Sequence, residues 1–229
     1  METLYDLVKE NASEMKDLTD RQDADVKLRD LAAYVMYKKD GKTPVEGVIL
    51  RTLSRPKVIF NYIVTALGRA TEQILVESEE KDLDPDYIKD FRRLYFAAAD
   101  ARLRRQGGRG LVPYFIEQAC LRGVIAARSL LKMVNGVLVP SITPWDSRYV
   151  NYKMGVDGLA WASFGYGTKM KKADIESEPW WSLVKKQPSL DKTTEVVDIW
   201  DDEHNEIWVK GEQVYEQPHD YKWPDGTRL

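Results

Sequence analysis

Asp201, Asp202, His204 and Glu206 lie within six residues of one another and are of the types that hold a divalent cation or run acid/base chemistry. Either use requires them to converge. They sit between two apolar runs, Val196 to Ile199 and Ile207 to Val209, which marks Asp202-Glu203-His204-Asn205 as a hairpin turn. Solvated polar residues are the ordinary content of such a turn, and neighbouring carboxylates on a strand point to opposite faces. Neither a metal nor an acid/base pair is therefore expected here. His219 has no nucleophile near it in sequence, and one Cys with two His is too few ligands for a zinc site. No Gly-x-x-x-x-Gly-Lys-Ser/Thr occurs, and Gly165-Tyr166-Gly167 lacks both the third glycine and the βαβ setting of a dinucleotide fingerprint. No catalytic residue and no cofactor is expected, and the chain is not expected to be an enzyme.

The basic residues are the stronger signal. Residues 1–91 carry 14 Lys+Arg against 19 Asp+Glu, residues 92–172 carry 14 against 4, and residues 173–229 carry 6 against 14. Arg92, Arg93, Arg102, Arg104, Arg105 and Arg109 crowd one helix and the loop after it, and Arg122, Arg128, Lys169, Lys171 and Lys172 follow. Basic groups without base-reading geometry suit phosphate-backbone contacts. They suit equally the acidic surface of another copy, or ion pairs within the chain. Asp100 and Arg104 are a favourable i,i+4 pair, and on a 100° wheel these arginines do not share one stripe. Both features favour pairing, while a monomeric, sequence-independent nucleic-acid-binding module using the Arg-rich helix stays as the alternative.

The elements that position these residues read as helices first and strands second. Apolar spacing from Leu4 to Met36 fits two helices or one broken helix, ending at the loop Lys39 to Pro44. Ser54-Arg55-Pro56 starts another that continues to about residue 77, with Gly68 as a weak point. Asp84-Pro85 is an N-cap followed by proline at the first helical position, and that helix should run to Gln106, where Gly107-Gly108 stops it. Ile88, Phe91, Tyr95, Ala98 and Ala99 line its apolar face, and Arg102 falls within that arc and requires a partner. Pro113 opens a helix apolar on most sides, expected to be central and buried, with Gly123 permitting close approach of a neighbour. Cys120 within it is expected to be a buried, inert thiol.

From Ser129 the period becomes two. Asn135-Gly136 signals a type I′ hairpin between Ser129–Val134 and Val137–Val139, with Pro140 and Pro144 closing it. A second hairpin spans 148–164 across Gly155 to Gly158. Residues 167–192 form a connector with a short helix near 171–178, a third hairpin follows, and Gln213 to Glu216 adds a strand. The fold class is α+β: a mainly helical region over 1–128 and an antiparallel β meander over 129–229. The N-terminus has the marks of neither a secretory signal nor a transit peptide, and no stretch reaches the roughly 18 apolar residues of a membrane span. A soluble protein of a reducing compartment is expected, with no membrane partner.

Several of these segments together resemble portal proteins, the head-tail connectors of tailed double-stranded DNA bacteriophages. The residues that carry the likeness are Ala99-Asp100-Ala101-Arg102-Leu103, Leu121-Arg122-Gly123 with Ala127-Arg128, and Val139-Pro140-x-Ile142-x-Pro144-Trp145-Asp146-x-Arg148-Tyr149-Val150. Gly155-x-Asp157-Gly158-Leu159-x-Trp161 and Val197-Asp198-x-Trp200-Asp201-x3-Asn205-x-Ile207-Trp208-Val209 follow, and Gln217-x-His219 ends the match. The resemblance covers about half the chain. It implies a wing-like α+β portion of a subunit in a homo-oligomeric ring, a dodecamer in the virion, at the capsid vertex through which double-stranded DNA enters and leaves. It further implies assembly in the host cytoplasm, with the major capsid protein, terminase and a head-tail adaptor as partners. Family members are longer, and no candidate for stem helices, clip or channel loop occurs here, so a further C-terminal part is expected.

Overall fold

The computed structural model describes residues 3–31, 36–47, 54–70, 84–105, 107–134, 137–156 and 158–219, with backbone alone at 131–134 and 137–138. In chain order the elements are α1 (Leu4–Glu14), α2 (Lys16–Arg29), α3 (Arg55–Gly68), α4 (Pro85–Arg105) and α5 (Leu111–Arg122), then β1 (Ala126–Val134), β2 (Val137–Trp145), β3 (Val150–Met154) and β4 (Leu159–Phe164). After β5 (Met170–Lys171), α6 (Lys172–Glu176) and a 3-10 turn at Pro179–Leu183 come β6 (Thr193–Thr194), β7 (Val196–Asp201), β8 (His204–Val209) and β9 (Glu212–Pro218). Helices followed by an antiparallel meander make this an α+β chain.

The chain forms two compact units. One combines residues 1–19 with 148–229, and the other is 20–147. The first is built on a five-stranded antiparallel sheet in the order β3-β4-β7-β8-β9. Successive residues of β7 and β8 feed opposite faces. Val197, Ile199 and Trp208 join Trp161 and Val8 of α1 in one buried cluster, whereas Val196, Ile207 and Val209 join Ile175 of α6 in another. Two covered faces explain why Val196-Val197 and Ile207-Trp208-Val209 are apolar without alternation. The inserted segment between β4 and β7, expected as a connector with a short helix, thus supplies the lid of one face.

N-terminal helix α1 belongs to this β unit because of its aromatic contact. Thr3 and Asp6 form a capping box that fixes its start. Tyr5 then stacks on Trp208, with ring centroids 5.1 Å apart, and its hydroxyl donates to Glu195 Oε1 at 3.0 Å. Burial first, and the Glu195 carboxylate second, push the Tyr5 hydroxyl up to about 12.

The helical unit has a smaller core among the described residues: Ala99, Leu111 and Ile142, with Tyr95, Leu103 and Phe115 against them. Asp84 caps α4 through the amides of Asp86 and Tyr87. The amides of Gly107 and Gly108 return to the carbonyls of Arg104 and Leu103 and close its C-terminus. β1 and β2 pair alone, Val134 opposite Val137, as a two-residue loop requires; Asn135 and Gly136 themselves lie outside the described residues.

Several expectations change. The helical spacing read up to Met36 ends with α2 at Arg29, and Leu31 takes positive φ. α3 stops at Gly68, at the weak point rather than at residue 77, and Ile74 lies outside the described residues. Pro140 and Pro144 sit within β2 instead of closing the pair. A ribbon of two strands has two outer edges, and residues four apart share a parity, so both ring nitrogens can face away from β1. The turn of the third hairpin is only Asp202-Glu203, because His204 and Asn205 pair with Pro218 and Gln217. Gly123 meets no neighbour; it is the left-handed cap of α5, at φ +72°. α5 packs against α3, α4 and β2, and the side that carries Val112, Ala119 and Cys120 stays exposed.

Gly165, between β4 and the insertion, is the tightest backbone approach in the β unit. At φ +107° its added Cβ would lie 2.1 Å from the Val196 carbonyl oxygen. Gly165→Ala is expected to cost about 3 kcal/mol or more, combining positive-φ strain with displacement of β7. Urea denaturation followed by tryptophan fluorescence checks this, and an unchanged midpoint would show that β7 can move aside.

Candidate functional site

Three of the four residues that could have gathered a metal are committed to backbone and strand contacts. Asp201 Oδ1 accepts the amides of Glu203 and His204, Glu206 Oε2 accepts Trp208 Nε1 at 2.7 Å, and Asp202 is exposed. His204 stands 4.0 Å from Asp201 and 3.9 Å from Glu216. Burial, with Glu216 and Asp201 beside it, raises the Glu206 carboxyl against the opposing bond from Trp208. His219 Nε2 lies 2.8 Å from the Asp201 carbonyl oxygen, which ties the end of β9 to β7. No group of three or more His, Cys, Asp or Glu positioned for a metal occurs among the described residues. A groove of about 560 Å³ runs between residues 183–188 and β9, walled by Lys185 and Lys186 on one side and Glu212 and Glu216 on the other.

The basic residues are dispersed rather than convergent. Arg93 pairs with Asp90 at 3.1 Å, Arg104 with Asp100 at 2.6 Å, and Lys172 with Glu176 at 3.7 Å. Arg109, from the loop before α5, and Arg29, from the end of α2, reach the two oxygens of one carboxylate, Glu117. The Arg92 guanidinium lies over the Phe96 ring and that of Arg128 over Trp145. Arg105 donates to the Ala101 carbonyl, and half-buried Arg102 has no ion-pair partner among the described residues. In the β unit Lys169 and Lys171 are exposed; the Lys210 ammonium, 2.8 Å from Asp191, holds that carboxyl low, and Lys169 adds to it.

Arg122 differs from the rest. Its side chain is 10% exposed, its Nε lies 3.0 Å from Asp146 Oδ1, and its Nη1 lies 3.5 Å from Asp23. The Nε contact is off the line of a good hydrogen bond and is ionic, while Nη2 donates to Asp146 Oδ2 at 3.4 Å. The backbone carbonyl of Arg122 accepts Gln22 Nε2 at 2.8 Å. One residue therefore binds α2, the end of α5 and the end of β2. From the sequence a partner is required only of Arg102; the apolar neighbours Leu121 and Val124 are the signal that could have marked Arg122 as well. Nothing local marked Asp23 or Asp146 as its partners.

Asp100 is the second such point. On a 100° wheel Asp100 lies opposite the apolar arc of Ile88, Phe91, Tyr95, Ala98 and Ala99, the side expected to face solvent. Its Oδ1 instead accepts the amide of buried Leu111 at 2.6 Å while Oδ2 holds Arg104. α5 begins at Gly110, which has no side chain to cap with, so the carboxylate arrives from α4. Burial pushes the Asp100 carboxyl up, but the bonds from Arg104 and Leu111, with the Arg104 charge, outweigh it and hold the group below the usual value.

No protein-family model matches the chain, and no curated protein matches it.

A depressed carboxyl contributes stability that is present above the ordinary aspartate value and is lost as pH falls through the folded value. Asp100→Ala is expected to cost about 1–3 kcal/mol near neutrality, because it orphans the Leu111 amide and releases Arg104. Asp100→Asn, which keeps an acceptor, should cost less. Denaturation of each variant from pH 7 to pH 3 checks the assignment: the Asp100→Asn deficit should shrink towards acid, and a constant deficit would contradict the ionic part.

Proposed function

We propose that this chain is a structural subunit of a ring of the kind formed by phage portal proteins. The observation that carries the assembly part is the apolar surface of the helical unit. Large side chains of α3 and α4, among them Tyr62, Tyr87 and Leu94, are more than 60% exposed, and α3 has no buried residue among those described. A soluble single copy rarely leaves patches of that kind open. The portal part rests on the ordered motifs, and their residues serve in this fold as framework. Asp100 caps α5, Arg122 meets Asp146, Asp198 accepts Asn205 Nδ2 at 2.6 Å, and His219 closes on Asp201. Residues of that use can persist where loops and termini change.

In this reading the arginines keep the fold and the surface charge in order, and the work of the protein is to assemble and to guide double-stranded DNA without reading its sequence. Capsid protein, terminase and head-tail adaptor are partners of the assembled ring at a virion vertex. A phosphate-binding module working as a monomer fits less well, since Arg93, Arg104, Arg109 and Arg122 already hold carboxylates. Among the described residues no helix is long and apolar enough to cross a membrane.

Electron microscopy of the full-length gene product tests the proposal. End-on views should show closed rings with a central hole and about twelvefold symmetry. Single copies that bind duplex DNA with an affinity falling steeply as salt rises would overturn it and support the binding-module reading.

A further inference from the structure

The exposed apolar residues of α4 follow a pattern. Tyr87, Phe91, Leu94, Ala98 and Ala101 succeed one another at steps of four, three, four and three, and all five are exposed. That is the a/d spacing of a helix seam. It is not the face α4 uses within its own unit, where Tyr95, Ala99 and Leu103 pack on Leu111 and Ile142. α4 thus carries two apolar stripes about 120° apart on its wheel, of which one is covered by described residues.

α3 is built the same way. Pro56, Phe60 and Val64, at four-residue steps, are its half-buried positions, and Arg29 lies over the Phe60 ring. Ile59, Ile63 and Ala66 form a second line at steps of four and three, with Ile59 59% and Ile63 43% exposed. A helix apolar over most of its circumference needs cover on more than one side. Length and charge match the two free stripes to each other. The seam from Tyr87 to Ala101 and the whole of α3 are each about 21 Å long. All charges of residues 54–70 are cationic (Arg55, Lys57, Arg69), whereas the start of α4 is acidic, with Asp84, Asp86 and Asp90 against Lys89.

We infer that the free stripe of α3 in one copy packs along the Tyr87–Ala101 seam of α4 in a second copy, the two helices running in the same direction so that Arg55 and Lys57 meet the acidic start of α4. The contact is heterologous. Each copy offers one α3 stripe and one α4 seam, so addition continues until rotation closes it. This rests on the ring reading only for closure; the face and its occupant follow from the two helices.

Two variants of the full-length protein separate the possibilities. Phe91→Asp/Leu94→Asp breaks the seam, and Ile59→Asp/Ile63→Asp breaks the stripe. Because these side chains are exposed, each variant should melt as wild type does when both are measured as single copies. In sedimentation velocity, wild type should exceed two copies, and each variant should stay single at about a hundredfold higher concentration. An equal mixture should give a two-chain species and stop there, since it joins one intact stripe to one intact seam and leaves the broken faces outward. A mixture that stays single, or a variant that assembles as wild type does, overturns the inference. Wild type that joins through this face but forms open strings or dimers overturns the closed ring alone, and rings that survive both variants overturn this face alone.

Discussion

A guanidinium that is nine-tenths removed from water costs several kcal/mol unless acids meet it, and the helical unit depends on how that cost is offset at Arg122. Asp23 comes from α2 and Asp146 from the end of β2, 99 and 24 residues away in sequence. Neither could reach Arg122 unless α2, α5 and the hairpin closed together. The requirement acts as a check on the whole arrangement. The Gln22 bond to the Arg122 carbonyl adds a neutral tie at the same place, where the last turn of α5 has carbonyls to satisfy.

This way of holding a unit together leaves much apolar surface unspent. The β unit covers both faces of its sheet, one with α1 and one with the segment before β7. The helical unit gathers only three buried apolar residues into its core cluster among those described and relies on polar joints at Arg122, Asp100 and Glu117. Ionic joints fix where elements meet without consuming apolar side chains. What remains on α3 and α4 is then available for another chain, and the same economy accounts for both the small core and the exposed seam.

Much of this was legible in the sequence. The α+β order, the Asp84-Pro85 start and Gly107-Gly108 stop of α4, the hairpins and the Asp100–Arg104 pair all depend on signals within a few residues. Long-range matters were not. Asp100 looked like a solvent residue because the wheel knows only its own helix, and its second partner, Leu111, lies in the next one. Cys120 was expected inside because α5 is apolar on most sides, but one of those sides has no neighbour among the described residues. The turn at Asp202-Glu203 came out shorter than read because Asn205 is drawn into β8 by its bonds to Asp198 and Ile199. α1 gave no local sign that it would stack on Trp208, 203 residues later.

The basic middle of the chain is, on this account, an internal framework before it is a surface for phosphate. The most direct measurement is a double-mutant cycle between Arg122 and Asp146, Arg122→Met and Asp146→Asn singly and together, read by urea denaturation of the full-length protein. A coupling of about 1–2 kcal/mol is expected, below that of a fully buried pair because Asp146 is 38% exposed. Additive single effects, with no coupling, would contradict the claim that this ion pair holds the helical unit together.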